Sequence, residues 1–97
     1  MRPCRFHPAA LEEADNAAAF YKAQQPDLEV RFLEALNDAV SRIRSNPFLY
    51  RCVAGDVRKC RIVHFPYGVI YRVGENGIQV IAIMHIRRQP GYWKLRI

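Results

Sequence analysis

Residues 67–87, YGVIYRVGENGIQVIAIMHIR, read as two adjacent antiparallel strands, and everything else in the chain has to be arranged around them. Asn76-Gly77 is the strongest hairpin signal present, because both residues tolerate the backbone conformations of a tight strand reversal. The loop around it is expected to run from Gly74 to Gly77. The flanks alternate at the two-residue period of a strand. Upstream, Tyr67–Val73 puts Val69, Tyr71 and Val73 on one face, with Ile70 and Arg72 on the other. Downstream, Ile78–Arg87 puts Ile78, Val80, Ala82, Met84 and Ile86 on one face, opposite Gln79, Ile81, Ile83, His85 and Arg87. The first face is apolar throughout and is expected to pack under a covering layer. The second turns polar at His85 and Arg87, so that end is expected to open to solvent. A third strand, Val57–Phe65, precedes these two, with Cys60 and Ile62 on the side opposite Arg61, Val63 and Phe65. It ends at Pro66, which cannot donate to a strand ladder.

The covering layer is supplied by the N-terminal half. His7-Pro8 opens a helix, since proline suits the first helical turn. Residues 8–24 hold seven alanines. Ala10, Ala14, Ala17 and Tyr21 share one helical face, with Leu11 and Ala18 beside them, and small side chains let a second helix approach closely. Glu12 and Glu13 lie near the helix start, where the dipole favours them. Gln24-Gln25-Pro26-Asp27 breaks the pattern, with Asp27 as candidate N-cap. Leu28, Phe32, Leu36, Ala39, Val40 and Ile43 then form a stripe at three- and four-residue spacing, stopped by Ser45-Asn46-Pro47. The two helices form an αα-hairpin. Residues 46–56 are expected to be irregular, with Phe48, Leu49 and Tyr50 anchoring the loop on the core and Gly55-Asp56 forming a turn. Arg2–Phe6 reads as a first strand at a sheet edge, where Pro3 is tolerated. The expected fold class is α+β, βααβββ: a two-helix hairpin packed on one face of an antiparallel sheet, in one domain spanning residues 1–97.

Three cysteines (Cys4, Cys52, Cys60) without a Cys-x-x-Cys pair read as reduced thiols of a cytoplasmic protein. They do not combine with His7, His64 and His85 at a zinc spacing, so no metal and no cofactor is expected. No apolar run has the length of a signal peptide or a membrane span, which argues for a soluble protein without a membrane partner. Charge is divided unevenly. Residues 51–97 carry nine basic side chains against Asp56 and Glu75, a net +7, while residues 1–50 net −1. The basic half suits phosphates or an acidic protein partner, or else is a solvated face that keeps the protein soluble.

If the three strands are consecutive neighbours, Arg61, Arg72, His85 and Arg87 line one concave face. Arginines there can hold phosphates through paired N–H donors. His85 can exchange a proton near neutral pH. Tyr92 and Trp93 can stack unpaired bases. Cleavage of an RNA phosphodiester needs a base, an acid and charge stabilisation at phosphorus. His85 or Tyr92 would supply the first two, and Arg61, Arg87 or Arg88 the third. No carboxylate is expected near this cluster, so a glutamate base is not available. The competing structural readings are a hydrogen-bonded strand histidine for His85, a terminal clasp for Tyr92 and Trp93, and structural roles for His7 and His64.

Three stretches, HPAALEEADNAAAFY, FPYGVIYRV and IQVIAIMHIRRQPGYW, resemble the RelE/ParE superfamily of toxins in their ParE-like, plasmid-stabilisation branch. The resemblance spans nearly the whole chain, with the same order of helices and strands. It implies the toxin of a type II toxin–antitoxin module, held inactive by a cognate antitoxin whose disordered, often acidic segment wraps it. The basic C-terminal half and the helical hairpin are natural docking surfaces for such a segment. RelE-like members cut mRNA on the ribosome, whereas ParE-like members poison DNA gyrase without being nucleases. On the RelE-like pattern, basic residues of the middle strands map onto Arg58, Lys59 and Arg61, with His85, Arg87 and Tyr92 near the last strand. The lysine pair of that branch is not reproduced, and neither is a glutamate base. The expected function is therefore inhibition of gyrase or replication through a target-binding surface of Arg58, Lys59, Arg61, Arg72, Arg87, Arg88, Tyr92 and Trp93. The alternatives are a ribosome-dependent mRNA endoribonuclease with Arg61, His85, Arg87 and Tyr92 as catalytic candidates, and a non-toxic nucleic-acid or partner-binding module.

Overall fold

The computed structural model describes residues 2–97. Two helices, α1 (Pro8–Gln24) and α2 (Pro26–Ser45), cover one face of a five-stranded sheet. The strands are β1 (Cys4–Phe6), β2 (Cys52–Ala54), β3 (Val57–Arg61), β4 (Tyr67–Gly74) and β5 (Gly77–His85), in spatial order β1-β5-β4-β3-β2. The hairpin and the meander are as expected, and β1 is at an edge. The sheet, however, is mixed. The helical hairpin returns the chain to the sheet on its far side, so β1 pairs parallel to β5, Cys4 with Ile78 and Phe6 with Val80. Residues 46–56 are also less irregular than their composition suggests: Cys52–Ala54 turns back along β3 through Gly55-Asp56 and forms the other edge.

Local chemistry accounts for the helix boundaries. The His7 ring caps α1 by accepting from the Ala9 N–H at 3.0 Å, and Pro8 fills the first helical position. Helix α2 starts one residue before the candidate cap Asp27. Its N-cap is Gln25, which makes no side-chain capping bond, and Pro26 takes the first helical position. The apolar stripe of α2 lands inside, with Phe32, Leu36, Ala39 and Ile43 buried. Each large apolar side chain buried there contributes about 2 kcal/mol. Tyr21, Phe32, Phe65 and Tyr67 meet edge to face beneath the helices, with ring centroids 5.0–6.3 Å apart where Tyr21 meets Phe65 and Tyr67. Phe65 belongs to this core, not to the far face, because β3 stops at Arg61 and the chain turns through His64, whose φ is +70°. Phe48 and Leu49 do not anchor their loop on the core. They are 56% and 65% exposed, and only Tyr50 packs inward.

The largest departure from the alternation pattern is in β5. Ile70 pairs with Ala82 and Tyr71 with Val80, leaving Ile81 as an extra residue. A bulge puts two residues of one strand opposite one of its partner and so reverses the side-chain parity beyond it. Ile78 and Val80 face the helices as expected. Ile81, Ala82 and Met84 face away, and Ile83 and His85 are brought round to the helix side. The far face thus has its own small core of Val57, Ile70, Ile81, Ala82 and Met84, roofed by Trp93.

The β4–β5 reversal takes two residues, Glu75-Asn76, since Gly74 and Gly77 already pair. Gly77 has φ +123°, and a Cβ on it would press onto the Pro3 carbonyl oxygen, which accepts the Ile78 N–H at 2.8 Å. Gly77→Ala combines a strained backbone with a clash that pushes β1 off the sheet. It is expected to cost about 2 kcal/mol, read as a lower urea midpoint with faster amide exchange at Ile78 and Val80. Unchanged exchange at those two amides would contradict this account.

Candidate functional site

The basic tip begins where β5 ends. Residues 86–93 turn back across the far face of the sheet, and a short 3₁₀ turn, Lys94–Arg96, follows. Arg87 and Arg88 lie on the outside of this turn and are exposed. Trp93 points inward, 3% exposed, against Ile70, Ala82 and Met84. The far face is apolar in its middle, and a sheet face of that kind needs a cover. Trp93 provides it, as the clasp reading of the C-terminus expects.

The segment is fastened from the other side by Glu13 of α1. Its carboxylate accepts from Arg96 twice (Nη1 to Oε1 2.8 Å, Nη2 to Oε2 3.1 Å), from the Tyr92 hydroxyl at 2.6 Å and from the Ile83 N–H at 3.0 Å. Arg88 lies 3.5 Å away, with its guanidinium 3.9 Å above the Tyr92 ring. Strand β1 is too short to cover the whole of β5. Past Val80, whose carbonyl accepts the His7 N–H at 2.8 Å, the open edge is met by side chains: Glu13 takes the Ile83 N–H and Arg96 donates to the Ile81 carbonyl at 3.0 Å. An uncovered strand edge invites unwanted pairing, and this ion pair closes it. Burial alone would raise the Glu13 carboxyl, but hydrogen bonds from Arg96, Tyr92 and Ile83 and the Arg96 charge outweigh it and hold the group below its ordinary 4.5. Burial first, and then the bond to Glu13, pushes the Tyr92 hydroxyl far above its usual range.

A carboxylate therefore does sit at the heart of this cluster, contrary to the expectation from sequence. Glu13 and Tyr92 are 79 residues apart. The only local hint of the role was an acid on the border of α1's alanine face, and that reads equally well as a dipole partner.

The other predicted residues are not gathered on one face. Arg61 and Arg72 share the far face but stand at opposite ends of it, Arg61 beside Gly68 and Arg72 beside Gln79. Arg72 pairs with Asp56 at 3.2 Å. The bulge carries His85 to the helix side, where its ring meets Tyr67 edge-on at 5.0 Å and its Nδ1 accepts the Arg87 N–H at 3.0 Å. Arg58 is a staple for the loop after α2, donating to the Tyr50 carbonyl at 2.6 Å and the Phe48 carbonyl at 3.2 Å. Lys59 lies half-buried on the far face, its stem passing over Gly68, where a Cβ would come within 2.7 Å of Lys59 Cε. His64 is exposed in its turn. Among the described residues, no group of three or more His, Cys, Asp or Glu side chains converges as a metal site would, and no helix is long and apolar enough to cross a membrane.

The family model for the ParE toxin of the type II toxin–antitoxin system parDE matches residues 4–90. The chain belongs to the ParE toxin family. Like any toxin of a type II module, this ParE-family protein has a cognate antitoxin as its partner. The Glu13 end of the clasp lies within the matched span, while Tyr92, Trp93 and Arg96 lie beyond it. Among solved structures, a chain described as "Chromosomal ParDE TA system from P. aeruginosa" superposes with a TM-score of 0.76 at 18% identity, over 88% of this ParE-family chain and 96% of that one. At that identity the likeness establishes the shared fold. A comparison with curated proteins found no match.

Proposed function

We propose that this ParE-family toxin inhibits DNA gyrase, in the cytoplasm, by binding it through the basic C-terminal turn, and that it does not cut RNA. The observation that supports this reading is the dispersal of the groups cleavage would need. Tyr92 donates its hydroxyl to Glu13 and is held protonated. Glu13, the one carboxylate nearby, is neutralised by Arg96 and Arg88. His85 is on the helix side of the sheet and Arg61 is exposed in β3, whose odd-numbered side chains face away from the helices. No base, acid and phosphate clamp converge on one point, as in-line cleavage of a phosphodiester requires. Exposed Arg87 and Arg88 beside a sealed apolar patch are instead suited to contacting an acidic protein surface.

Purified toxin is expected to block supercoiling of relaxed plasmid by gyrase. The double variant Arg87→Ala, Arg88→Ala should weaken that block about tenfold, at roughly 0.7 kcal/mol for each charge lost. His85→Gln, which keeps an acceptor for the Arg87 N–H, should leave it within about twofold. Undisturbed supercoiling, together with new mRNA 5′ ends within codons in a translation extract, would replace this reading with the endoribonuclease.

A further inference from the structure

At the hairpin end of the far face, neighbouring strands bring Arg5, Gln79 and Arg72 into one row. Gln79 of β5 pairs with Arg5 of β1 on one side and with Arg72 of β4 on the other. Their sequence neighbours Cys4, Phe6, Tyr71, Val73, Ile78 and Val80 all pack toward the helices, so the polar side chains between them stand on the far face. The row lies before the bulge, which leaves its register intact. Two strand spacings, about 10 Å, separate the arginine backbones, and both long side chains can reach across that gap to a point above Gln79. They line a cleft of about 290 Å³ with Gly74 to Gly77 at its end. Arg5 is exposed and forms no ion pair among the described residues. Arg72 has one nitrogen 3.2 Å from Asp56, in a contact open to solvent. An ion pair of that kind is worth little and is readily given up.

From this row we infer that Arg5 and Arg72 hold a terminal phosphate group between them, of the kind a free nucleotide carries, with the Gln79 amide donating to it from below. Each guanidinium offers a planar fork of N–H donors. Two forks closing from opposite sides need acceptors on both sides at once. A tetrahedral phosphate has them, whereas the two coplanar oxygens of a carboxylate do not. The surroundings select for a short ligand. Glu75 at the hairpin and Asp56 beside Arg72 flank the row with carboxylates. A nucleic-acid backbone, with a phosphate at every residue, would run onto one of them. No aromatic side chain lines the cleft, so bases find nothing there to stack on. A bound phosphate ties the short edge strand β1 across β5 to β4. This inference does not depend on gyrase being the target, because the row is at the opposite end of β5 from Arg87 and Arg88.

The test titrates pyrophosphate and ADP into the full chain and follows its backbone amide and arginine Nε–H signals by NMR. Saturable shifts are expected at the Gln79 and Gly77 amides and at the Arg5 and Arg72 Nε–H, with affinity falling as salt is added. Adenosine, which lacks phosphate, and acetate should produce neither. Arg5→Gln and Arg72→Gln should each weaken pyrophosphate binding about tenfold. Gln79→Glu sets a carboxylate in the middle of the row and should weaken it about 30-fold. Asp56→Asn frees Arg72 and should tighten binding about threefold, a gain that damage to the sheet cannot produce. Arg31→Gln, on α2, should change nothing, and melting temperatures near the parent's check the folding of every variant. Shifts spread over the whole basic half and indifferent to Arg5→Gln would mean diffuse counter-ion attraction and overturn the proposal. Equal binding of acetate, tighter binding of a single-stranded DNA without terminal phosphate, or no saturable shift with pyrophosphate and ADP would do the same.

Discussion

Replacing Glu13 with alanine is expected to remove about 3 kcal/mol of stability, which for a domain of this size is a fall of roughly 15 °C in melting temperature. The magnitude follows from what is left behind. Arg96, whose side chain is 17% exposed, loses both carboxylate bonds and keeps only the Ile81 carbonyl. The Tyr92 hydroxyl and the Ile83 N–H lose their acceptor. Stranding a partly buried cation and two polar groups costs more than the net worth of the pair. Glu13→Gln still offers an oxygen to the Ile83 N–H and should lose roughly half as much. The effect has a pH signature. The folded Glu13 carboxyl lies below its ordinary 4.5, so its contribution is complete above that value and disappears as pH falls through the folded one. The gap in melting temperature between wild type and Glu13→Gln should thus be constant from about pH 7 to 5 and narrow progressively as pH falls below the ordinary 4.5. A gap that persists unchanged at the acid end would show that the ion pair is not its source.

Trp93→Ala should cost about as much or more, roughly 3–4 kcal/mol. Trp93 is the only large side chain of the C-terminal segment sealed against the far face. Its loss leaves Ile70, Ala82 and Met84 under a cavity or under water. Residues 86–93 belong to no strand or helix and can partly collapse into the gap, which keeps the figure at the lower end of aromatic deletions. Phe48→Ala, by contrast, truncates a ring that is 56% exposed and stacked only on Arg2 and Arg58, and should cost under about 1 kcal/mol. The Glu13 and Trp93 variants should also couple. Both fasten the same segment after β5, so once one has let go the other has less to hold. The double mutant is expected to fall short of the summed losses by about 1 kcal/mol, measured by urea denaturation of all four members of the cycle. Strict additivity would mean that the clasp is two independent attachments.

Much of this architecture is legible in the residue order. The stripe from Phe32 to Ile43 specifies a helix and its buried side within twenty residues. Pro66 lies in the turn before β4, although β3 itself stops earlier, at Arg61, and the alternation either side of Glu75-Asn76 pairs the next two. These are signals of the chain's own local period, and they hold wherever the element ends up. Trp93 as a clasp was one of two readings the sequence allowed. The exposed arginines at 87 and 88 were also recognisable, since no acid follows Glu75 in the chain to pair them locally.

What the sequence left open depends on how elements meet. The alternation of β5 is unbroken in the residue order, yet the bulge at Ile81 reverses it, since Ile70 pairs with Ala82 and Tyr71 with Val80. That single extra residue decides that His85 faces Tyr67 and not Arg61. Arg58 looks like any surface cation until the loop after α2 folds over it and presents two carbonyls. Glu13 is one of seven acids in its half of the chain, and only the packing of α1 against the open edge of β5 brings Arg96, Tyr92 and Arg88 to it. By itself, then, the sequence determined the order of elements apart from the short edge strand β2, the buried stripes and the basic half. Tertiary structure alone decided register, the parallel β1 pairing and the Glu13 clasp. Periodicity and turn chemistry are short-range, satisfied within a few residues, whereas an ion pair or a strand register is chosen by the geometry of surfaces far apart in the chain.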